Sequence, residues 1–82
     1  MDTLKDRFIR TLAPFIVGGL AEDSFERPLR DLGVDSVKLI ELIGCLEKSC
    51  GVRFSDEDIT PENFRTPRAL LDLVVRRSDR AE

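Results

Sequence analysis

Asp35 and Ser36, adjacent in the stretch LGVDSVKLIELI at residues 32–43, are the side chains of this chain best placed to do chemistry. A serine hydroxyl can accept a phosphate or an acyl group, but it is a poor nucleophile unless a base takes its proton. The chain has no histidine. It therefore offers no Ser-His or Cys-His pair, and no side chain whose ordinary pKa lies near neutrality. If Ser36 reacts, another protein must supply the catalysis. A serine at a helix N-terminus suits that role, because the helix amides and dipole favour a phosphate held there. The competing reading is that Ser36 is only a helix cap. In that case Ser36→Ala would cost about 0.5–2 kcal/mol and nothing else.

Other chemistries find less support. Cys45 and Cys50 stand five apart, so on one helix they face different directions, and a disulfide between them would distort the backbone. Free thiols in a reducing compartment are the simpler expectation. Two cysteines without histidine do not make a structural zinc site, so no metal is expected. Carboxylates are plentiful, but nothing in the sequence implies a deep pocket that would tune them. Self-contained catalysis is therefore not expected. A formal charge of -3 with no Trp or Tyr argues against nucleic-acid binding. No apolar run approaches the roughly 20 residues that span a membrane. The N-terminus MDTLKDRF begins acidic and amphipathic, unlike a signal peptide, so the expected compartment is the cytoplasm.

The elements that must position Ser36 are helical. Strand alternation and hairpin turns are missing, while helical periodicity is clear in three places. Leu4, Phe8, Leu12 and Phe15 mark a helix over residues 2–15, capped by Asp2 or Thr3 and closed near Pro14. A long connection follows over residues 17–35, anchored by Leu29 and Leu32, with Gly33 at a backbone position other residues would resist. A second helix covers residues 36–50 and stops at Gly51. Thr60-Pro61 starts a short helix over 60–64, and Thr66-Pro67 a last one over 67–77. Arg76 and Arg77 fall at its C-terminal end, where the dipole favours cations, and the tail 78–82 is expected to fray. The fold class is thus all-α: one domain over 1–82, a four-helix bundle with three main helices, one short helix and a long first loop.

The second helix is not explained by its core face alone. At about 100° per residue, Leu39, Leu42, Ile43, Leu46 and Cys50 share one stripe. Val37, Ile40 and Gly44 fall elsewhere, bordered by Glu41, Glu47 and Lys48. Scattered surface apolar residues are common. Their i, i+3, i+7 spacing beside Ser36 also suits a strip on which partner proteins dock. Gly44 costs roughly 0.5–1 kcal/mol in a helix interior, which suggests that something approaches closely there.

Taken together, DLGVDSVKLIELIGCLEKSCGVRFSDEDITPENFRTPRALLDLV resembles the acyl carrier and peptidyl carrier proteins. The ordered set carries the likeness: LGxDS, a patterned helix with Glu soon after, Phe with an acidic cluster, and a Thr start to the last helix. The resemblance implies that Ser36 carries 4'-phosphopantetheine, delivered from coenzyme A by a phosphopantetheinyl transferase. Acyl or aminoacyl groups would ride on the arm as thioesters, so the reactive thiol would not be Cys45 or Cys50. It implies that Asp35 helps to place the transferase and its metal-bound coenzyme A. Val37, Ile40, Glu41, Gly44 and Glu47 match the positions that partner enzymes grip. Those partners would be an acyl- or aminoacyl-loading enzyme and ketosynthase, condensation or tailoring enzymes, and the carrier is expected to be a monomer.

Charge agrees with brief, steered encounters. Residues 35–63 hold seven acidic and three basic side chains, a local net of -4, against +1 for the remainder. Three features depart from the usual pattern: Val37 follows the serine where many carriers have Leu, Lys38 and Lys48 interrupt the acidic face, and ten of the thirteen basic residues are Arg. These favour a carrier of specialised polyketide or nonribosomal peptide assembly. A fatty-acid carrier is the nearest rival, and a small helical interaction domain the rival of another class.

Overall fold

Thr3 begins the first helix through reciprocal bonds. Its hydroxyl accepts the Asp6 N–H at 3.0 Å, and the Asp6 carboxylate accepts the Thr3 N–H at 3.3 Å. The computed structural model describes residues 3–80, the side chains of 79 and 80 excepted. Asp2, the other candidate cap, lies outside it. Helix α1 spans Leu4–Leu12 and tightens into a 3₁₀ turn over Ala13–Phe15, so Pro14 closes the element as expected. Helix α2 spans Ser36–Cys50 and helix α3 spans Pro67–Arg80. Among the described residues there is no strand.

The core forms where the three helices meet. Phe8 and Leu12 of α1, Leu42 and Leu46 of α2, and Leu70, Leu73 and Val74 of α3 are buried. Helix α1 lies chiefly along α2, with α3 against α1 and against the long connection.

That connection is ordered by its own contacts. It contains 3₁₀ turns over Glu22–Glu26 and Leu29–Leu32, and Leu29 and Leu32 are buried as expected. Phe25 packs 6.4 Å from the Phe8 ring, with Lys5 and Arg68 each 5.8 Å from its centroid. Arg68 also pairs with Glu26. Gly33 ends the second turn at φ 94°, and a Cβ there would stand 2.4 Å from Cγ2 of Val17. Both the conformation and the space require glycine. The loop thus delivers Val34 and Asp35 to the head of α2 in a set direction.

Three expectations are corrected. Residues 60–64 form a turn, not a helix. Thr60 accepts the Asn63 N–H at its hydroxyl and the Phe64 N–H at its carbonyl, making a single turn that goes no further. Thr66 then precedes Pro67, which biases it out of helical backbone. The short helical element lies earlier, as a 3₁₀ turn over Asp56–Asp58. The second correction concerns α3, which runs to Arg80 and takes in residues 78–80 of the expected tail; residues 81–82 lie outside the described part. The apolar stripe ends near Val75, but no Gly or Pro follows to stop the backbone. Arg76 and Arg77 therefore stand inside the helix rather than at its end. The third concerns the rival reading of Ser36 as a cap: the N-cap of α2 is Asp35.

Arg77 has a partner. It pairs with Asp58, which is buried and also accepts the Ser55 N–H at 2.9 Å. The Arg77 hydrogen bond holds the Asp58 carboxyl below its ordinary range, against the opposing effect of burial. A folded-state pKa below the unfolded one adds stability that is present above the ordinary aspartate value. That stability is lost as pH falls through the depressed value. Asp58→Asn is therefore expected to be less stable than the parent at neutral pH, with the gap closing in acid below the ordinary aspartate range. Urea midpoints measured across pH check this. A gap that persists unchanged into acid would assign the loss to packing rather than charge.

Candidate functional site

Asp35 is the N-cap of α2. Its carboxylate accepts the Lys38 N–H at 2.9 Å, and its carbonyl accepts the Leu39 N–H at 2.8 Å. Ser36 is the first residue inside the helix and is exposed. Among the described residues no group takes its hydroxyl. The cap reading of Ser36 therefore fails on geometry: the residue before it does that work. Ser36 instead projects an unengaged hydroxyl beside first-turn amides that have no intrahelical acceptor. This arrangement suits a phosphoryl group.

The second helix sorts its side chains as its periodicity requires. Leu42, Leu46 and Cys50 are buried, with Leu39 and Ile43 half-buried beside them. Val37 and Ile40 stand outside, 68% and 71% exposed. Lys38, Glu41, Gly44 and Lys48 are exposed as well. A Cβ added at Gly44 would meet nothing within 4 Å, so no contact inside the molecule requires glycine there. Gly44 lies instead in the wall of a shallow 440 Å³ depression that Phe15, Glu41, Cys45 and Lys48 complete.

The acidic residues do not act together. Glu47 is half-buried, and its carboxylate accepts the Phe54 N–H at 2.9 Å, tying the loop after α2 back to the helix. Asp58 belongs to Arg77, and Asp35 caps the helix. The charge counted over residues 35–63 thus divides into structural carboxylates and exposed ones such as Glu41, Asp56, Glu57 and Glu62.

Ser36 also borders a groove of about 670 Å³ that the sequence reading did not anticipate. Leu29, Val34, Leu39, Pro61 and Phe64 supply apolar lining, and Arg30 and Arg65 line it as well. These segments lie far apart in sequence. A bond of 2.9 Å from the Leu29 N–H to the Arg65 carbonyl joins them. No periodicity links Arg30 to Arg65, so sequence held no signal for their meeting. The thiols are free, Cys45 exposed and Cys50 buried. No group of residues able to hold a metal ion occurs among the described residues.

Residues 17–74 match the family described as the phosphopantetheine attachment site, a stretch that takes in the long connection, all of α2 and most of α3. The chain belongs to that family. A granaticin polyketide synthase acyl carrier protein from Streptomyces violaceoruber is 42% identical to it over 55 residues, 67% of this chain and 62% of that protein's length. This carrier domain is accordingly a member of a family that holds 4'-phosphopantetheine and does not itself catalyse. The group fits the residues present: an exposed, unengaged serine at a helix head, with an open groove beside it. Bound there, it would supply a thiol on a long flexible arm.

Proposed function

We propose that Ser36 is the attachment point for 4'-phosphopantetheine and that the chain carries acyl intermediates as thioesters through polyketide assembly. The observation that carries this reading is the division of labour at the head of α2. Asp35 caps the helix, which leaves Ser36 exposed and its hydroxyl unclaimed.

The relative supports the pathway, since its own name places it in a polyketide synthase, and it favours this over fatty-acid or nonribosomal peptide assembly. The partners are a phosphopantetheinyl transferase, an acyl-loading enzyme, and ketosynthase and tailoring enzymes. They meet the carrier on Val37, Lys38, Ile40, Glu41, Gly44 and Lys48, with Glu47 bracing the far end of that face. Exposed apolar anchors within a mixed-charge border suit brief contacts with several proteins in turn. Tethering presents the cargo at high effective concentration to each. No described helix is long and apolar enough to cross a membrane, which is consistent with work in the cytoplasm.

Incubation with coenzyme A and a broad-specificity transferase should raise the mass of the chain by one phosphopantetheine, on Ser36, as mass spectrometry of the intact protein and its peptides will show. An unchanged mass beside a modified control carrier would end the proposal. Replacing Ile40 with Asp should slow modification while leaving the fold intact, since the side chain rests on nothing internal. Equal rates would remove Ile40 from the transferase's footprint.

A further inference from the structure

Helix α1 is basic on a chain that is otherwise acidic. Residues 4–12 hold three basic side chains and one acidic one, a net of +2, where the whole chain is -3. The acid, Asp6, is engaged in the Thr3 cap. Arg7 and Arg10 are three residues apart and so share one face of the helix. Both are exposed, and the Arg7 guanidinium has no partner among the described residues. With Thr11 and Ser49 they line a recess of about 330 Å³ between α1 and the end of α2. The Thr11 and Ser49 hydroxyls meet at 2.6 Å and join the two helices there. At 1.5 Å per residue the recess stands about 20 Å along α2 from Ser36. Neither the attachment serine nor the exposed strip beside it accounts for these arginines.

We propose that this recess is an interaction surface for an acidic segment of a partner protein, whose Asp or Glu side chains pair with Arg7 and Arg10. A guanidinium stays charged at any working pH and presents paired N–H donors that match a carboxylate. Arginine is also among the residues that protein interfaces favour. A free ion fits the recess less well. Ser49 lies in the last turn of α2, where the helix dipole opposes an anion. The Arg7 N–H goes to the Thr3 carbonyl, so α1 has no free amide to offer at that point. A carboxylate fixed on a protein overcomes this, because contacts made elsewhere by the same protein raise its effective concentration. The surface stands on α1 and α2 alone and does not depend on Ser36 carrying an arm.

The test uses the full isotope-labelled chain without an arm and three probes at equal concentration. These are a capped peptide of alternating glutamate and glycine, the same peptide with glutamine in place of glutamate, and inorganic phosphate. NMR follows the side-chain Nε–H signals of Arg7 and Arg10 and the backbone amides of Thr11 and Ser49. The glutamate peptide should shift all four signals to saturation, the glutamine peptide none, and phosphate should shift them less. An Arg7→Gln, Arg10→Gln double variant should lose the response, with its spectrum away from α1 matching the parent because both side chains are exposed. An Arg30→Gln, Arg65→Gln variant removes equal charge elsewhere and should keep the response. No shift with the glutamate peptide would overturn the proposal, as would equal shifts with both peptides. A phosphate response as strong as the peptide's would leave only an ion site. Equal loss in the two double variants would leave only general charge attraction. The comparison of the two peptides on the parent chain holds even where a variant fails to fold.

Discussion

Replacing Ser36 with alanine is expected to abolish attachment of the arm completely while changing stability by no more than about 0.5 kcal/mol. The two halves of this result have separate causes. Attachment needs the one hydroxyl at the head of α2, and the chain has no second serine in an equivalent place. Ser49 pairs with Thr11 at 2.6 Å, Ser24 is buried, Ser55 donates to Asp58, and Ser78 lies in the last turns of α3 rather than at a helix head. Stability is untouched because Ser36 makes no side-chain contact that alanine would lose. Asp35→Ala should behave in the opposite way. It removes the acceptor for the Lys38 N–H and should cost about 0.5–2 kcal/mol. Denaturation midpoints and intact mass, measured on both variants, separate the roles. A Ser36→Ala variant that unfolds more readily than Asp35→Ala would return capping to the serine.

Phe8→Ala is expected to cost about 3–5 kcal/mol, within the range for deleting a buried aromatic side chain. Phe8 is completely buried, and its ring faces Phe25 of the long connection. The loss therefore reaches beyond α1. Without the Phe8 ring, Phe25 loses its aromatic neighbour and part of the core it packs against, and the turn over Glu22–Glu26 loosens. A small domain has only about 5–15 kcal/mol of stability in all, so such a loss should leave a substantial unfolded population on mild heating. Thermal melting checks the global effect. Amide exchange at Ser24, Arg27 and Leu29 checks the spread into the connection; protection unchanged there would show that the loop is held without Phe8.

Periodicity made the helices legible because each buries one face against the others. Leu4, Phe8 and Leu12 mark α1, and Leu42, Leu46 and Cys50 mark α2, since burial repeats with the helical turn. The misfit of Val37 and Ile40 was equally legible, as apolar residues off that stripe must be exposed. Gly33 was legible through its type, although not its reason, which is Val17 packed against the space a side chain would need. The short third helix misled because Thr60-Pro61 is a genuine start signal, and a start signal does not say how far a helix runs. Asn63 Nδ2 donates to the Asp58 carbonyl at 2.8 Å and commits the segment to a turn. The end of α3 misled for the opposite reason, since cations were read as a terminus when one of them was needed by Asp58.

Asp35-Ser36 drew attention from its place at a helix start beside an off-stripe apolar strip, and the lack of histidine meant that another protein must act on the serine. Local order also sufficed for the three main helices and the exposed strip on the second, as those depend on neighbours within one or two turns. Which of Asp35 and Ser36 caps the helix depended on backbone geometry that their types leave open. Arg30 and Arg65 could meet at the serine only after folding, because a groove is a property of packed surfaces and not of any one segment. The same holds for the carboxylates: Glu47 and Asp58 look like their exposed neighbours in a list of residues. Asp58 was turned inward by burial and by Arg77 of α3, and Glu47 by the Phe54 N–H of the loop that folds back on α2.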